Sequence, residues 1–263
     1  MKVPIRALGI ATFICWVILI AFIASAAYSI KDLSLGFGAP TFTAASNHEL
    51  LYSLPLRIEN RGFYSLKAFN ITTAYLDAGG SEISRASTFV QVIPHGENVT
   101  LFHNATLSMD SLLEKDEQYL FNDKNLKTSI TIGLNFAELI PVQLSTNITF
   151  PWGAPFYNFT LGQPSYDLFN STHSRATVRL SFENHAVFDL DGNIRVELYD
   201  SLNSLLGESH AAFSVARSSR YADNLEFYVP LSTAPLPAAQ NGHYKVFFST
   251  SLFEYGPSVI PYG

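Results

Sequence analysis

The sequence predicts an all-β protein: two tandem antiparallel β-sandwich domains behind one N-terminal transmembrane α-helix. Three observations carry this expectation. They are an uncharged apolar run from Ala7 to Ile30, a self-similarity at a displacement of about 124 residues, and a hydrophobic period of two over most of the remainder.

The helix comes first. LGIATFICWVILIAFIASAAY lies within a 24-residue stretch free of charged side chains. At about 1.5 Å of rise per residue this reaches roughly 36 Å, enough for a hydrocarbon core of about 30 Å. Lys2 and Arg6 precede it without an acidic residue, and Lys31 and Asp32 balance each other after it. The positive-inside bias therefore places the amino terminus in the cytoplasm and all that follows outside, so residues 1–30 read as a cytoplasmic stub and signal anchor of a single-pass cell-membrane protein. Two other fates fit the same residues. Cleavage after Ala24-Ser25-Ala26 would release a secreted protein. Arg6-Ala7-Leu8 resembles the processing site of archaeal type IV pilin-like precursors, after which the helix would pack in the core of a filament.

Composition narrows the rest. Hydrophobic residues make up 48% of the chain and charged residues 14%, against about 25% charged in ordinary soluble domains. That excludes a disordered tail. The net charge of −6 leaves no basic reservoir for phosphates, so nucleic acid is not a partner. The only cysteine, Cys15, lies in the apolar run, which leaves the exported part without disulfides. Six N-x-T sequons support export as candidate N-glycosylation sites: Asn70, Asn98, Asn104, Asn147, Asn158 and Asn170. Sequons without disulfides, beside a pilin-like site, fit an archaeal cell envelope.

Past residue 30 the chain repeats. Leu56 to Asn60 answers to Leu180 to Asn184, Pro40 to Pro164 and Leu66 to Leu190. After one gap, Asn70 to Asp77 answers to Asn193 to Asp200. Ser129 to Ile132 matches Lys245 to Phe248, and Glu138 with Pro141 matches Glu254 with Pro257. Domains over 31–150 and 151–263 follow, divided at Pro151-Trp-Gly-Ala-Pro155. Within each, short runs alternate in the manner of half-buried strands: Leu56–Asn60, Ile71–Leu76, Phe89–Ile93, Val99–Phe102, Ile130–Phe136, Val178–Phe182, Ile194–Tyr199, Leu225–Val229 and Val246–Leu252. Turn residues at Asp77 to Gly80, Pro94 to Gly96, Asp191-Gly192 and Gln240 to Gly242 separate them, which argues for antiparallel sandwiches. A brief helix is expected over Ser108 to Lys115.

The recurring unit has an extended lead-in with proline, a strand ending in Glu-Asn, a strand closing on Tyr-Leu-Asp or Tyr-Asp, a polar turn and a proline-containing strand pair. In this it resembles the late-embryogenesis-abundant group 2 domain, also called the water-stress and hypersensitive-response domain, once in each half of residues 35–263. Arg61 and His185 stand where that family carries proline after the asparagine. The resemblance implies an immunoglobulin-like β-sandwich with no catalytic residues, in a class of binding or stress-protective modules often attached to membranes.

Chemistry-bearing motifs are sparse. H-E-x-x-H, G-x-S-x-G, the P-loop and paired C-x-x-C are all absent, and the seven histidines never fall at i, i+4. Gly36-Phe-Gly38 is followed by Ala39-Pro40 instead of a helix and reads as a turn. Asp189-Leu-Asp-Gly-Asn193 with Glu197 carries oxygen ligands without the spacing of a complete calcium loop, and reads as a hairpin or edge turn. Tyr244, Phe247, Phe248 and Phe253 read as strand packing before a sugar or peptide site. Neither enzyme activity, cofactor nor metal is expected. After Pro141 the first domain continues through Val142–Phe150, whereas only Ser258–Gly263 follow Pro257, so the second domain ends either in a short last strand or ragged terminus, or in an open edge available for strand exchange. The expected role is binding or structural, with envelope proteins or glycans as partners.

Overall fold

The computed structural model describes residues 5–45, 48–77, 79–232 and 241–263, with side chains from Ile10 onward. Of the residues singled out above, Lys2, Ala78 and Gln240 lie outside the described residues. Helix α1 (Ile5–Ile30) leads into an all-β body of four antiparallel sheets. In the first repeat, β3 (Glu49–Asn60) carries the short β1 (Leu33–Phe37) and β2 (Thr41–Ala45) along one edge and β6 (Asn98–Ser108) along the other. The facing sheet runs β5 (Glu82–Ile93), β4 (Leu66–Leu76), β7 (Lys124–Phe136) and β8 (Ile140–Trp152). The second repeat has the same order. β9 (Tyr157–Leu161) and β10 (Ser165–Leu168) flank β11 (His173–Asn184), which pairs on its other edge with β14 (Ser219–Pro230). β13 (Leu205–Val215), β12 (Leu190–Asp200), β15 (Gly242–Thr250) and β16 (Glu254–Tyr262) form the fourth sheet.

The duplication is visible residue by residue. Strands starting at 33, 41, 49 and 66 recur at 157, 165, 173 and 190, each 124 positions on. The single gap in the sequence repeat has a structural cause. Between Lys67 and Asn70 the register of β4 against β7 slips by one, with Ala68 at φ 51, so the first repeat accommodates its extra residue as a β-bulge.

The Glu-Asn ending recurs because its asparagine is a buried clamp. Asn60 Nδ2 donates to the carbonyls of Tyr64 (2.9 Å), Ile93 (3.2 Å) and Pro94 (3.0 Å). Asn184 Nδ2 donates to Phe188 (2.9 Å) and Val215 (3.1 Å), while its Oδ1 accepts from Ala186 N (3.0 Å). Each therefore ties the crossing between sheets to the end of the next hairpin. The aspartates closing β4 and β12 act likewise on turns: Asp77 Oδ1 accepts from Ser81 N, and Asp200 Oδ1 from Leu202 N and Ser204 N. The brief helix is present as α2 (Met109–Lys115), with Ser108 Oγ capping Ser111 N at 3.2 Å. Met109 and Leu112 are buried under it.

At the C-terminal hairpin the short last strand holds over the open edge, and one expected match is corrected. The second repeat does not lack its last strand: β16 pairs with β15 from Ser249↔Glu254 to Gly242↔Tyr262, so the edge offered for strand exchange is already covered within the chain. The match of Glu138 with Glu254 does not hold in space either. The first hairpin runs to Phe136↔Ile140, placing Glu138 in its turn, whereas Glu254 already faces Ser249 inside the ladder. The run drawn as a strand to Leu252 ends at Thr250, whose hydroxyl accepts from Leu252 N and Phe253 N and folds the turn back.

The repeats stack end to end. Helix α1 meets the end of the first repeat where β3 stops and β4 begins, and the opposite end meets the second repeat through Trp152 on Phe188, Phe121 on Phe159 and Phe248, and Glu117 with Tyr255. Strands of 12 residues at about 3.3 Å each make either repeat about 40 Å long.

Candidate functional site

The junction of α1 with the first repeat is built from small residues and aromatic rings. Ser29 is fully buried, and its Oγ accepts from Phe63 N at 2.8 Å. Asp32 N donates to Ser29 O (3.2 Å) and Arg61 N to Asp32 O (3.1 Å), so the helix end and the β3–β4 crossing share a hydrogen-bonded seam. Gly62 is required there, because a Cβ would collide with Ser29 Oγ and its carbonyl. One turn earlier Ser25 Oγ lies 2.6 Å from Tyr64 OH, Phe22 packs edge-on against Tyr64, and Tyr64 against Phe136. Ala26 is buried with Leu56, Ile58, Phe69 and Phe136. Beyond this seam α1 exposes Ile10, Phe13, Ile14, Trp16, Val17 and Ile18 in consecutive turns. A helix apolar all round and uncovered by its own protein has the character of a membrane span, and α1 is long and apolar enough to cross one.

The second junction repeats the first in outline. His185, the counterpart of Arg61, donates its backbone N–H to Ala154 O at 3.0 Å, and a Cβ on Gly153 would collide with His185 O. Trp152 fills the space above, donating Nε1–H to Tyr119 O (2.8 Å) and packing on Phe188. An open cleft of about 680 Å³ runs along this junction, lined by Asp123, Lys124, Trp152, Glu183, His185 and Arg220. In it the His185 ring stacks on Tyr157 and bridges two carboxylates, Asp123 of the first repeat (2.8 Å) and Glu183 of the second (3.2 Å). Burial opposes the imidazolium, but hydrogen bonds and charge from Asp123 and Glu183 outweigh it and raise the His185 pKa above its ordinary value. In the sequence His185 stands out only as one of seven histidines without metal spacing and as the residue after Asn184. Its partners lie 62 and two positions away, and only the former crosses the junction.

Of the sequon asparagines, Asn98, Asn104, Asn147, Asn158 and Asn170 are exposed, and Asn70 is half-buried on β4. Asn104 Oδ1 accepts from Ser53 Oγ and Asn98 Oδ1 from Arg57 Nε, while Asn170 Oδ1 caps Thr172 N and His173 N. The structure does not bring the six together: Asn70 and Asn147 lie on one sheet of the first repeat, Asn98 and Asn104 on the other, and Asn158 and Asn170 in the second repeat. The remaining motifs fall into framework. Gly36 lies within β1, and Gly38 N donates to Pro55 O at 2.8 Å. Asp191-Gly192 is not the expected turn but lies within β12, paired with Ser214 and Phe213, and Asp189 Oδ1 accepts from Arg217 N. Tyr244, Phe248 and Phe253 are core residues, and Phe247 carries Arg195 over its ring at 3.7 Å.

No protein-family profile matches the chain, and no curated protein matches it in sequence. Solved structures give faint likenesses. A Mobiluncus mulieris adhesin with intramolecular disulfide, isopeptide and ester cross-links shares 10% identity over 83% of this chain and 80% of its own, at a TM-score of 0.29. The ApaA protein of Bordetella pertussis shares 14% over 47% of this chain and 94% of its own, at 0.31. Red sea bream transglutaminase shares 14% over 87% of this chain and 31% of its own, at 0.32. At such scores the likenesses carry no argument about activity.

Proposed function

We propose that the protein is a membrane-anchored, extracytoplasmic binding or structural protein that holds two β-sandwich modules off the cell surface for contacts with envelope proteins or glycans, without catalysis. The observation that carries this reading is the packed, hydrogen-bonded seam between the uncovered apolar helix and the first repeat. A helix merely awaiting removal after Ala26 has no use for Ala26 buried among Leu56, Ile58 and Phe69, or for Ser25 and Phe22 fitted against Tyr64. Stacked end to end, the repeats carry their far end about 80 Å beyond the helix, taking about 40 Å for each from the strand rise. Five exposed sequons along that body suit a glycosylated exterior.

The test is to express the full chain, wash its membranes with alkaline carbonate, and treat intact cells with protease. Retention in the washed membrane with loss of the repeats to external protease is the expected result. Release by carbonate supports a secreted protein, a mature terminus at Leu8 in fibres supports the filament subunit, and either outcome overturns the anchor.

A further inference from the structure

The end of the first repeat that receives α1 carries more exposed apolar surface than its seam requires. Phe63 is 63% exposed and stacks on Tyr28 of the helix at 5.9 Å. Leu139, 76% exposed, projects from the β7–β8 turn, and Ile140 beside it is also exposed. Tyr64, which follows Phe63, packs against the cluster that holds Ala26, and Phe136 with Ala137, shortly before Leu139, belong to it. Both apolar tips therefore stand next to the helix, on the side from which it leaves.

Lengths decide what covers them. The uncharged run of 24 residues is roughly 36 Å long, about 6 Å more than the hydrocarbon core, so only about four of its residues can stand clear of that core. Contact with the first repeat, however, begins at Phe22, nine residues before Lys31, which is about 13 Å of helix. The body cannot be held away from the bilayer on a free stalk. From these observations we infer that the helix-side end of the first repeat is seated in the lipid headgroup layer, with Phe63 and Leu139 inserted as apolar anchors beside α1. The inference rests on the anchor reading and adds a second membrane contact to it. Lys31, whose Nζ lies 3.8 Å from the Tyr28 ring, takes the position of an interfacial cation. The charges on this end are mixed, because Arg61 pairs with Glu59 and Lys67 with Glu138, leaving Asp32 and Glu97 beside Lys31 and His95. Apolar insertion is thus the binding chemistry, and it needs no anionic lipid.

The experiment uses the full chain in phosphatidylcholine vesicles with one environment-sensitive fluorophore per molecule. The label sits on native Cys15, or, in a Cys15→Ser background, on Leu139→Cys or Leu202→Cys. Leu202 lies in the β12–β13 turn at the far end of the second repeat and is 83% exposed, which makes it an apolar control of equal accessibility. Spin-labelled lipids with the nitroxide near the headgroup should quench position 139 at least threefold more than position 202, and mid-chain nitroxides should quench Cys15. Equal weak quenching at 139 and 202, with Cys15 quenched, overturns the seated end while leaving the anchor intact. Equal strong quenching overturns it too, because the body would then lie along the surface. An unquenched Cys15 removes the anchor reading, and the inference with it.

Discussion

The two repeats share a topology strand for strand, yet they fill its centre differently. In the first, His103 is fully buried, with Nε2 2.9 Å from Thr73 Oγ1 and Nδ1 2.8 Å from Thr88 Oγ1, while the buried Thr128 Oγ1 has no hydrogen-bond partner among the described residues. Registers place Leu225, Val196, Ala211 and Tyr244 at the same four positions of the second. All four are buried, and Tyr244 reaches across to donate its hydroxyl to Gly162 O at 2.8 Å. Inward residues on either side of the polar layer fall into separate clusters: Phe69 and Ile71 with the helix, and Tyr75, Leu107 and Leu126 with the second repeat. The lesson is that one backbone plan supports either a continuous apolar core or two half-cores separated by a hydrogen-bonded layer. The divided version occupies the repeat held at both ends.

The largest effect should come from forcing the first solution onto the second repeat. Leu225→His would bury an imidazole against Val196 and Ala211, neither of which can bond to it, at a cost of about 3 to 5 kcal/mol. Adding Val196→Thr and Ala211→Thr should restore most of this. Guanidinium unfolding of the full chain in detergent, with hydrogen exchange followed on β12 and β4 separately, reads the loss in one repeat. A loss below about 1 kcal/mol in the single variant would mean that the partners at His103 matter little.

The reciprocal exchange sharpens the comparison. His103→Leu with Thr73→Val and Thr88→Ala removes donors and acceptors together, so stability should stay within about 1 kcal/mol of the parent. Its pH dependence should change more clearly. Burial pushes the His103 pKa below its ordinary value, so between the folded value and about 6.5 the unfolded chain holds the extra proton. This stability contribution is complete above about pH 6.5 and falls as the pH drops toward the folded value. Protection factors on β4, taken against the intrinsic rate at each pH, should fall over that interval in the parent and less so in the triple variant. An unchanged acid limb would exclude His103 as its source.

A smaller gain is expected from Thr128→Val, which removes a buried hydroxyl without a partner and should stabilise the first repeat by about 1 kcal/mol in the same unfolding measurement. A loss of stability would instead show that the hydroxyl is satisfied in solution.

The comparison also separates what was legible in the chain from what was not. The period of two, the 124-residue displacement and the two Glu-Asn endings announced the paired sheets, because strand parity and the Asn60 and Asn184 clamps are written in local sequence. The polar layer left a fainter mark. Thr73 follows Phe69 and Ile71 at the same parity, and His103 falls between Leu101 and Ala105, so inward polar positions were detectable, but their mutual contact depends on sheet pairing. The extent of the last strand was only partly legible: counted from Pro257 it is short, but β16 already begins at Glu254, because local alternation does not report where a hairpin turns. At the helix seam, Ser25, Ser29 and Gly62 are small residues whose value lies in close approach, and no periodicity marks them.

The smallest expected effect concerns the junction between the repeats. His185 is held between Asp123 and Glu183, and its pKa is raised in the folded chain. The sign follows from linkage: the contribution is fully present below the unfolded value of about 6.5 and is lost as the pH rises through the higher folded value. This is opposite to His103. With the ring about a third exposed, solvent screening keeps the effect under about 1 kcal/mol. Lys124 and Arg220 line the same cleft and supply fixed positive charge, so the titration should move slightly with salt. His185→Asn should flatten the alkaline decline in exchange protection around Trp152 and Ala154 while leaving the acid limb from His103 in place. If the decline persists in that variant, the two carboxylates do not act through His185, and the seam between Ala154 and the β11–β12 crossing is held by its backbone bonds alone.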